Sequence, residues 1–223
     1  MSTFTCSEVG AIAGYLSAAS NTMVVGHLLG LLTQDIMYRL EPSKTKTICI
    51  GHSLGSHVCG FTGKTMTLDA IVGLDPAGPI FEDNSPYNRL NNTDARVVYA
   101  LHLNAGILGI QKAIGDVDIY VNGGVNQPGC SGVSCSHAAF KLLSSIWKRR
   151  SKTDRCTLRE KCPNKDVAKR ELFEQNCINL RKGVEIGNLE KMIEGASDKS
   201  KNGTILFMDT NDKRNKVCKF SWV

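Results

Sequence analysis

Several things are scarce or missing in this chain of 223 residues. No stretch reads as a membrane span. The nearest, Val9 to Gln34, carries no Asp, Glu, Lys or Arg, but Ser17, Ser20, Asn21, Thr22 and His27 interrupt it. Proline is rare at 6 residues, and 21 glycines are far below the one-third of a collagen, which excludes collagen-like and low-complexity chains. No internal repeat is visible. No pair of Cys-x-x-Cys units exists, so structural zinc is disfavoured and no metal is expected. Zinc-finger spacing and aromatic ribonucleoprotein motifs are also absent, so no nucleic-acid partner is expected. The opening Met1-Ser-Thr-Phe-Thr-Cys6 has neither the basic start nor the apolar run of a signal peptide.

What is present suits a globular domain. Hydrophobic residues make up 42% and charged residues 22%, which excludes a disordered chain. A chain this long can bury roughly 70% of its unfolded surface. Residues 1–223 are read as a single domain or part of one, with 151–223 as its basic C-terminal part. The charge is uneven. Residues 1–140 carry 7 basic and 10 acidic side chains, net −3, and residues 141–223 carry 20 and 11, net +9. That basic part is either a solvated surface or attracted to anionic lipid.

Nine cysteines leave at least one unpaired within the chain. Cys49 and Cys59 lie in apolar segments and are expected to be buried thiols. The later cysteines lie among polar residues, which suits disulfides in an oxidising compartment. Asn91 and Asn202 head N-x-T sequons. The body therefore reads as secreted although the start does not. A segment missing before Met1 would reconcile the two.

Helix and strand alternate. From Ala13 to Leu40, apolar residues recur at helical spacing through Val24, Val25, Leu28, Leu31, Leu32, Ile36, Met37 and Leu40, so an amphipathic helix is expected. Strands are expected at Thr45–Ile50, Ala70–Leu74, Val97–His102, around Asp118–Val121 and at Gly203–Met208. A second helix runs from Ser56 to Met66. Asn164 to Asn176 could form a third. Largely apolar strands separated by helices imply a parallel sheet covered on both faces.

The feature that carries chemistry is Gly51-His-Ser53-Leu-Gly55. A bare G-x-S-x-G arises by chance in roughly one chain of this size in ten. Here it follows an expected strand and opens an expected helix, the context of a nucleophile elbow. A Ser on so tight a turn is expected to need minimal side chains two residues away on either side. The N–H of Leu54, at a helix N-terminus, can donate to an oxyanion. The serine needs a base, and the base needs a carboxylate. Asp75 is the best acid because it stands just past an apolar strand, where open α/β sheets place their sites. Asp116 and Asp118 are weaker candidates. Of five histidines, His27 and His52 precede the serine and His57 sits one turn down the following helix. The residues alone leave His102 and His137 open.

The run Gly51-His-Ser-Leu-Gly-Ser-His-Val-Cys-Gly-Phe61, then Gly73-Leu-Asp-Pro-Ala-Gly-Pro79, then Asn122-Gly-Gly-Val-Asn-Gln-Pro-Gly-Cys130 with Cys135-Ser-His137, resembles the animal pancreatic-type lipase superfamily. It is most similar to the insect neutral lipases and phospholipases A1 of that group. The resemblance spans about residues 6–147 and, more loosely, the final strand. It implies an α/β-hydrolase fold with a mostly parallel central sheet, helices on both faces and the early strands missing. It implies Ser53 as nucleophile, Asp75 as acid, His137 as base and Leu54 as an oxyanion donor. His102 matches a strand-end His-Thr pair, with Leu103 in place of Thr, and is implied to be structural. The implied activity is two-step cleavage of glycerolipid acyl esters at a lipid surface, by a secreted protein without cofactor.

The departures matter. The second oxyanion donor of this family comes from a loop well before the serine, and only some fifty residues precede Ser53 here. Four residues separate Cys130 from Cys135, a short lid that resembles the phospholipases A1. The family's calcium loop reads Glu-x-x-Arg-x-Asp-x-x-Asp. The matching stretch is Pro86-x-x-Arg89-x-Asn91-x-x-Asp94, so two carboxylates are gone and calcium is not expected. Ala139 replaces a frequent Arg. Only 86 residues follow His137, too few for the usual C-terminal lipid-binding sandwich. Two rival expectations follow: a non-catalytic, yolk-type lipase-like binding protein, and an inactive truncated fragment.

Overall fold

The computed structural model describes residues 14–40, 45–127, 156–162, 178–186 and 204–208. Among them lie helices α1 (Tyr15–Arg39) and α2 (Leu54–Thr65). The strands are β1 (Ile48–His52), β2 (Ala70–Leu74), β3 (Val98–His102), β4 (Val117–Val121), β5 (Cys156–Cys162), β6 (Ile178–Ile186) and β7 (Thr204–Met208). They form one sheet in the order β1-β2-β3-β4-β7-β5-β6. Strands β1 to β4 and β7 pair in parallel. β5 runs antiparallel to both β6 and β7.

The five parallel strands are those the apolar runs predict. β5 and β6 were not expected. Their sequences, CTLREKC and INLRKGVEI, are broken by charge. Strands toward the end of a sheet tolerate such residues, and no apolar run betrays them. The helix expected at Asn164–Asn176 lies outside the described residues.

β2, β3 and β4 are buried along their whole length. Ile71, Val98 and Ala100 join Cys59, Leu68, Leu90, Ile110 and Ile114 in one apolar cluster. Each fully buried Leu, Ile or Val contributes about 1.5–3 kcal/mol. β1 differs. It stands at the end of the described sheet and is only partly buried.

α1 also departs from expectation. Its buried face is Ala19, Thr22, Gly26 and Gly30. The bulky residues expected to be covered, Val24, Leu28, Leu31, Leu32 and Leu40, are exposed among the described residues. The reason is steric. A Cβ on Gly26 would lie 2.5 Å from the Phe61 Cβ and 2.6 Å from the Val58 carbonyl, and one on Gly30 would lie 2.6 Å from the Thr65 Cβ. The small face lets α2 approach, and Thr62 Oγ1 donates to the Gly26 carbonyl across the contact. By length and composition alone α1 could cross a membrane. Its small face is instead built against α2.

Cys49 and Cys59 are not thiols. They form a disulfide between β1 and α2, with Cα atoms 5.6 Å apart. Both sit in apolar segments as expected, but the crossover from β1 to α2 brings them within bonding range.

Candidate active site

Parallel pairing of β1 with β2 sets His52 against Leu74. Ser53 and Asp75 are the next residues of each strand, so they leave the same edge of the sheet side by side. The Ser53 N–H donates to the Leu74 carbonyl at 3.0 Å, and the Ala77 N–H donates to the Ser53 carbonyl at 3.3 Å. Both residues have positive φ, 54° at Ser53 and 47° at Asp75. Ile80, a few residues on, has φ 75°. Non-glycine residues rarely adopt this region, and such strain gathers at functional sites.

The elbow needs one of its two glycines more than the other. A Cβ on Gly51 would collide with the Gly55 carbonyl group, whereas a Cβ on Gly55 meets nothing within 4 Å among the described residues. Among the described residues, the expected steric demand is met at the strand-side glycine, and nothing there requires it at Gly55. Ser53 occupies the N-cap of α2 without its side chain capping it, so the hydroxyl is not spent on the helix. Leu54 follows at the first helical position. Its N–H is one of those a helix leaves without an internal partner. Its side chain packs on Ala19, Ala77 and Phe81.

Asp75 is 1% exposed. Its Oδ1 accepts from the N–H groups of Leu103 at 3.0 Å and Asn104 at 2.8 Å. Its Oδ2 is buried and has no hydrogen-bond partner among the described residues. A buried carboxylate oxygen without a donor is costly. One oxygen is fixed by backbone and the other is available to orient a cationic or N–H donor. Gly109 permits this packing, because a Cβ there would run into the Asp75 carboxylate.

The described histidines are mostly spent on structure. His102 is fully buried. Its Nδ1 lies 2.9 Å from the Ile110 carbonyl and its Nε2 2.9 Å from Asp118 Oδ1, and the ring stacks on Tyr120. That removes His102 from contention as the base and Asp118 as the acid. The implied structural role of His102 is what the geometry supports. Asp116 Oδ2 accepts from the Val98 N–H at 2.7 Å. His27 is exposed on α1, with Nδ1 3.1 Å from Thr65 Oγ1. His137 lies outside the described residues, as do Cys130, Cys135 and Ala139.

His57 has a role that sequence reasoning missed. Its Nδ1 accepts from the Leu90 N–H at 3.1 Å and its Nε2 lies 2.9 Å from the Ala77 carbonyl, which fixes the neutral tautomer. It stacks on Phe81. Burial pushes its pKa down to about 4, helped by Arg89 and Lys64 and opposed by the Ala77 bond. His57 thus ties α2 to the segment after Asp75. No local signal marks it, because its partners are 20 and 33 residues away.

Comparison with known proteins gives a second line. The protein-family profile described as Lipase matches residues 8–157. The chain belongs to the lipase family. Its five parallel strands and the helix leaving the Ser53 elbow fit the α/β-hydrolase fold of lipases. The chain is 43% identical over 145 residues to "Phospholipase A1 2" of Polistes dominula, covering 62% of this chain and 46% of the relative. It is 41% identical over 155 residues to "Phospholipase A1" of Vespula squamosa, covering 65% and 52%. It is also 40% identical over 134 residues to "Probable phospholipase A1 magnifin" of Vespa magnifica, covering 56% and 40%. The chain thus spans about half the length of the curated relatives it matches.

Proposed function

We propose that this lipase-family chain carries the catalytic centre of a secreted carboxylic ester hydrolase that cleaves lipid acyl esters, with phospholipids as the favoured class. The observation that carries the reading is the pairing of a strained, uncapped Ser53 with a neighbouring buried carboxylate whose Oδ2 has no partner among the described residues. The phospholipase A1 names of relatives at about 40% identity support the substrate class. The Cys49–Cys59 disulfide supports an oxidising, extracellular setting.

The chemistry follows from the residues. His137 is the base, and one ring N–H would donate to the open Asp75 oxygen. Its other nitrogen takes the Ser53 proton as the hydroxyl attacks the acyl carbonyl. The Leu54 N–H donates to the oxyanion. The alcohol portion departs with the proton from His137. Water, deprotonated by the same ring, then releases the fatty acid and restores Ser53. The substrate is met at a lipid surface, and no cofactor takes part in any of these steps.

A fluorophosphonate probe tests this reading. Incubated with the intact protein, it becomes attached to Ser53, as read by peptide mass spectrometry. A folded protein that leaves Ser53 unlabelled contradicts the proposal.

A further inference from the structure

The family resemblance points to calcium on the stretch 86–94, and the residues here do not fit it. Pro86 offers no side-chain oxygen. The Asn91 side-chain amide donates to Thr93 Oγ1 at 2.8 Å, and its backbone N–H donates to Asp94 Oδ2 at 2.8 Å. One carboxylate remains, Asp94, and it is buried. Calcium takes six to eight oxygen ligands.

A different cation already sits there. Lys64, in the last turn of α2, places Nζ 2.7 Å from Asp94 Oδ1 and 2.6 Å from Asp94 Oδ2. It also donates to the Arg89 carbonyl at 2.8 Å. An ammonium has three donors, and all three are engaged. The Lys64 side chain is 25% exposed, that of Asp94 only 1%. The ring of Phe61 lies 5.5 Å below the same nitrogen.

We propose that Lys64 is a tethered replacement for a divalent ion: its ammonium neutralises Asp94 and fastens the 89–94 loop to α2, so the protein has no structural need for calcium. Burial opposes the charge on both partners, and their mutual contact opposes burial. The surrounding backbone is shaped for this closeness. A Cβ on Gly63 would collide with the Asp94 carbonyl oxygen, and one on Gly60 would lie 2.8 Å from the Leu90 Cα. With the His57 bond to Leu90, the clamp seats the helix whose first turn carries the Ser53 elbow.

Thermal melts of the intact protein test the idea. In EDTA and in millimolar calcium chloride the melting temperature stays the same. Lys64→Met melts lower by roughly 10 °C, because it strands a buried carboxylate. Adding Asp94→Asn to Lys64→Met restores more than half of that loss. If Lys64→Met does not fold alone, folding of the double variant carries the same meaning, and failure of both overturns the proposal. So does a wild-type melt that falls in EDTA and recovers with calcium, or a double variant whose losses simply add.

Discussion

Two buried aspartates, nineteen residues apart, solve the same problem in opposite ways. Asp94 is saturated: both oxygens face the Lys64 ammonium, and one also accepts the Asn91 N–H. Asp75 is half satisfied. Two backbone N–H groups hold Oδ1, while Oδ2 has no donor among the described residues. Folding alone favours the first arrangement, since unmet buried acceptors cost stability. The second makes sense where a further group must dock and change its charge during a reaction. Under the proposed function, the contrast separates a carboxylate used to hold the fold from one left open to receive the base.

The sharpest way to break that contrast is to neutralise each acid in turn. Asp75→Asn keeps an acceptor for Leu103 and Asn104 but can present the wrong donor to the base. Esterase turnover is expected to fall about 10⁴-fold, with a near-native melt. Asp94→Asn is expected to change turnover less than about tenfold and to act on the melting temperature instead. Equal losses of turnover in the two variants would erase the distinction.

Next in size is the elbow itself. Gly51→Ala is expected to cost about 3 kcal/mol in denaturant unfolding, because the new methyl meets backbone that cannot move aside. Gly55→Ala, whose methyl meets no atom among the described residues, is expected to change stability by less than about 1 kcal/mol. Similar costs at the two positions would contradict the geometry.

His57 yields a pH-dependent effect of comparable size. Its native pKa is about 4, against an ordinary value of 6.5. Between those values the unfolded chain binds a proton that the folded chain refuses, so stability falls as pH drops through that window. The loss reaches about 3 kcal/mol by pH 4 and is absent above pH 7. His57→Gln should flatten this part of a stability–pH curve. An unchanged curve would show that His57 is not the group responsible.

Some of this was legible in the sequence and some was not. β1 to β4 and β7 announce themselves as apolar runs, and Ser53 and Asp75 are local features at strand ends. Ser53 sits at a pinched turn, and Asp75 follows five buried residues. The covered face of α1 was not legible. Hydropathy marks Val24, Leu28 and Leu31, but helix contact here depends on Gly26 and Gly30, whose value is the space they leave. β5 and β6 were hidden by their charges. The Cys49–Cys59 bond, the His57 tie and the Lys64–Asp94 clamp depend on partners brought together by the crossovers between strands. Residue identity alone does not give that proximity.

The most direct test of the account is an experimental structure of the intact protein that places the His137 ring. One ring nitrogen should lie within about 3.2 Å of Ser53 Oγ and the other within the same reach of Asp75 Oδ2. A well-ordered His137 pointing elsewhere, with Asp75 Oδ2 bonded to a different donor, would contradict it.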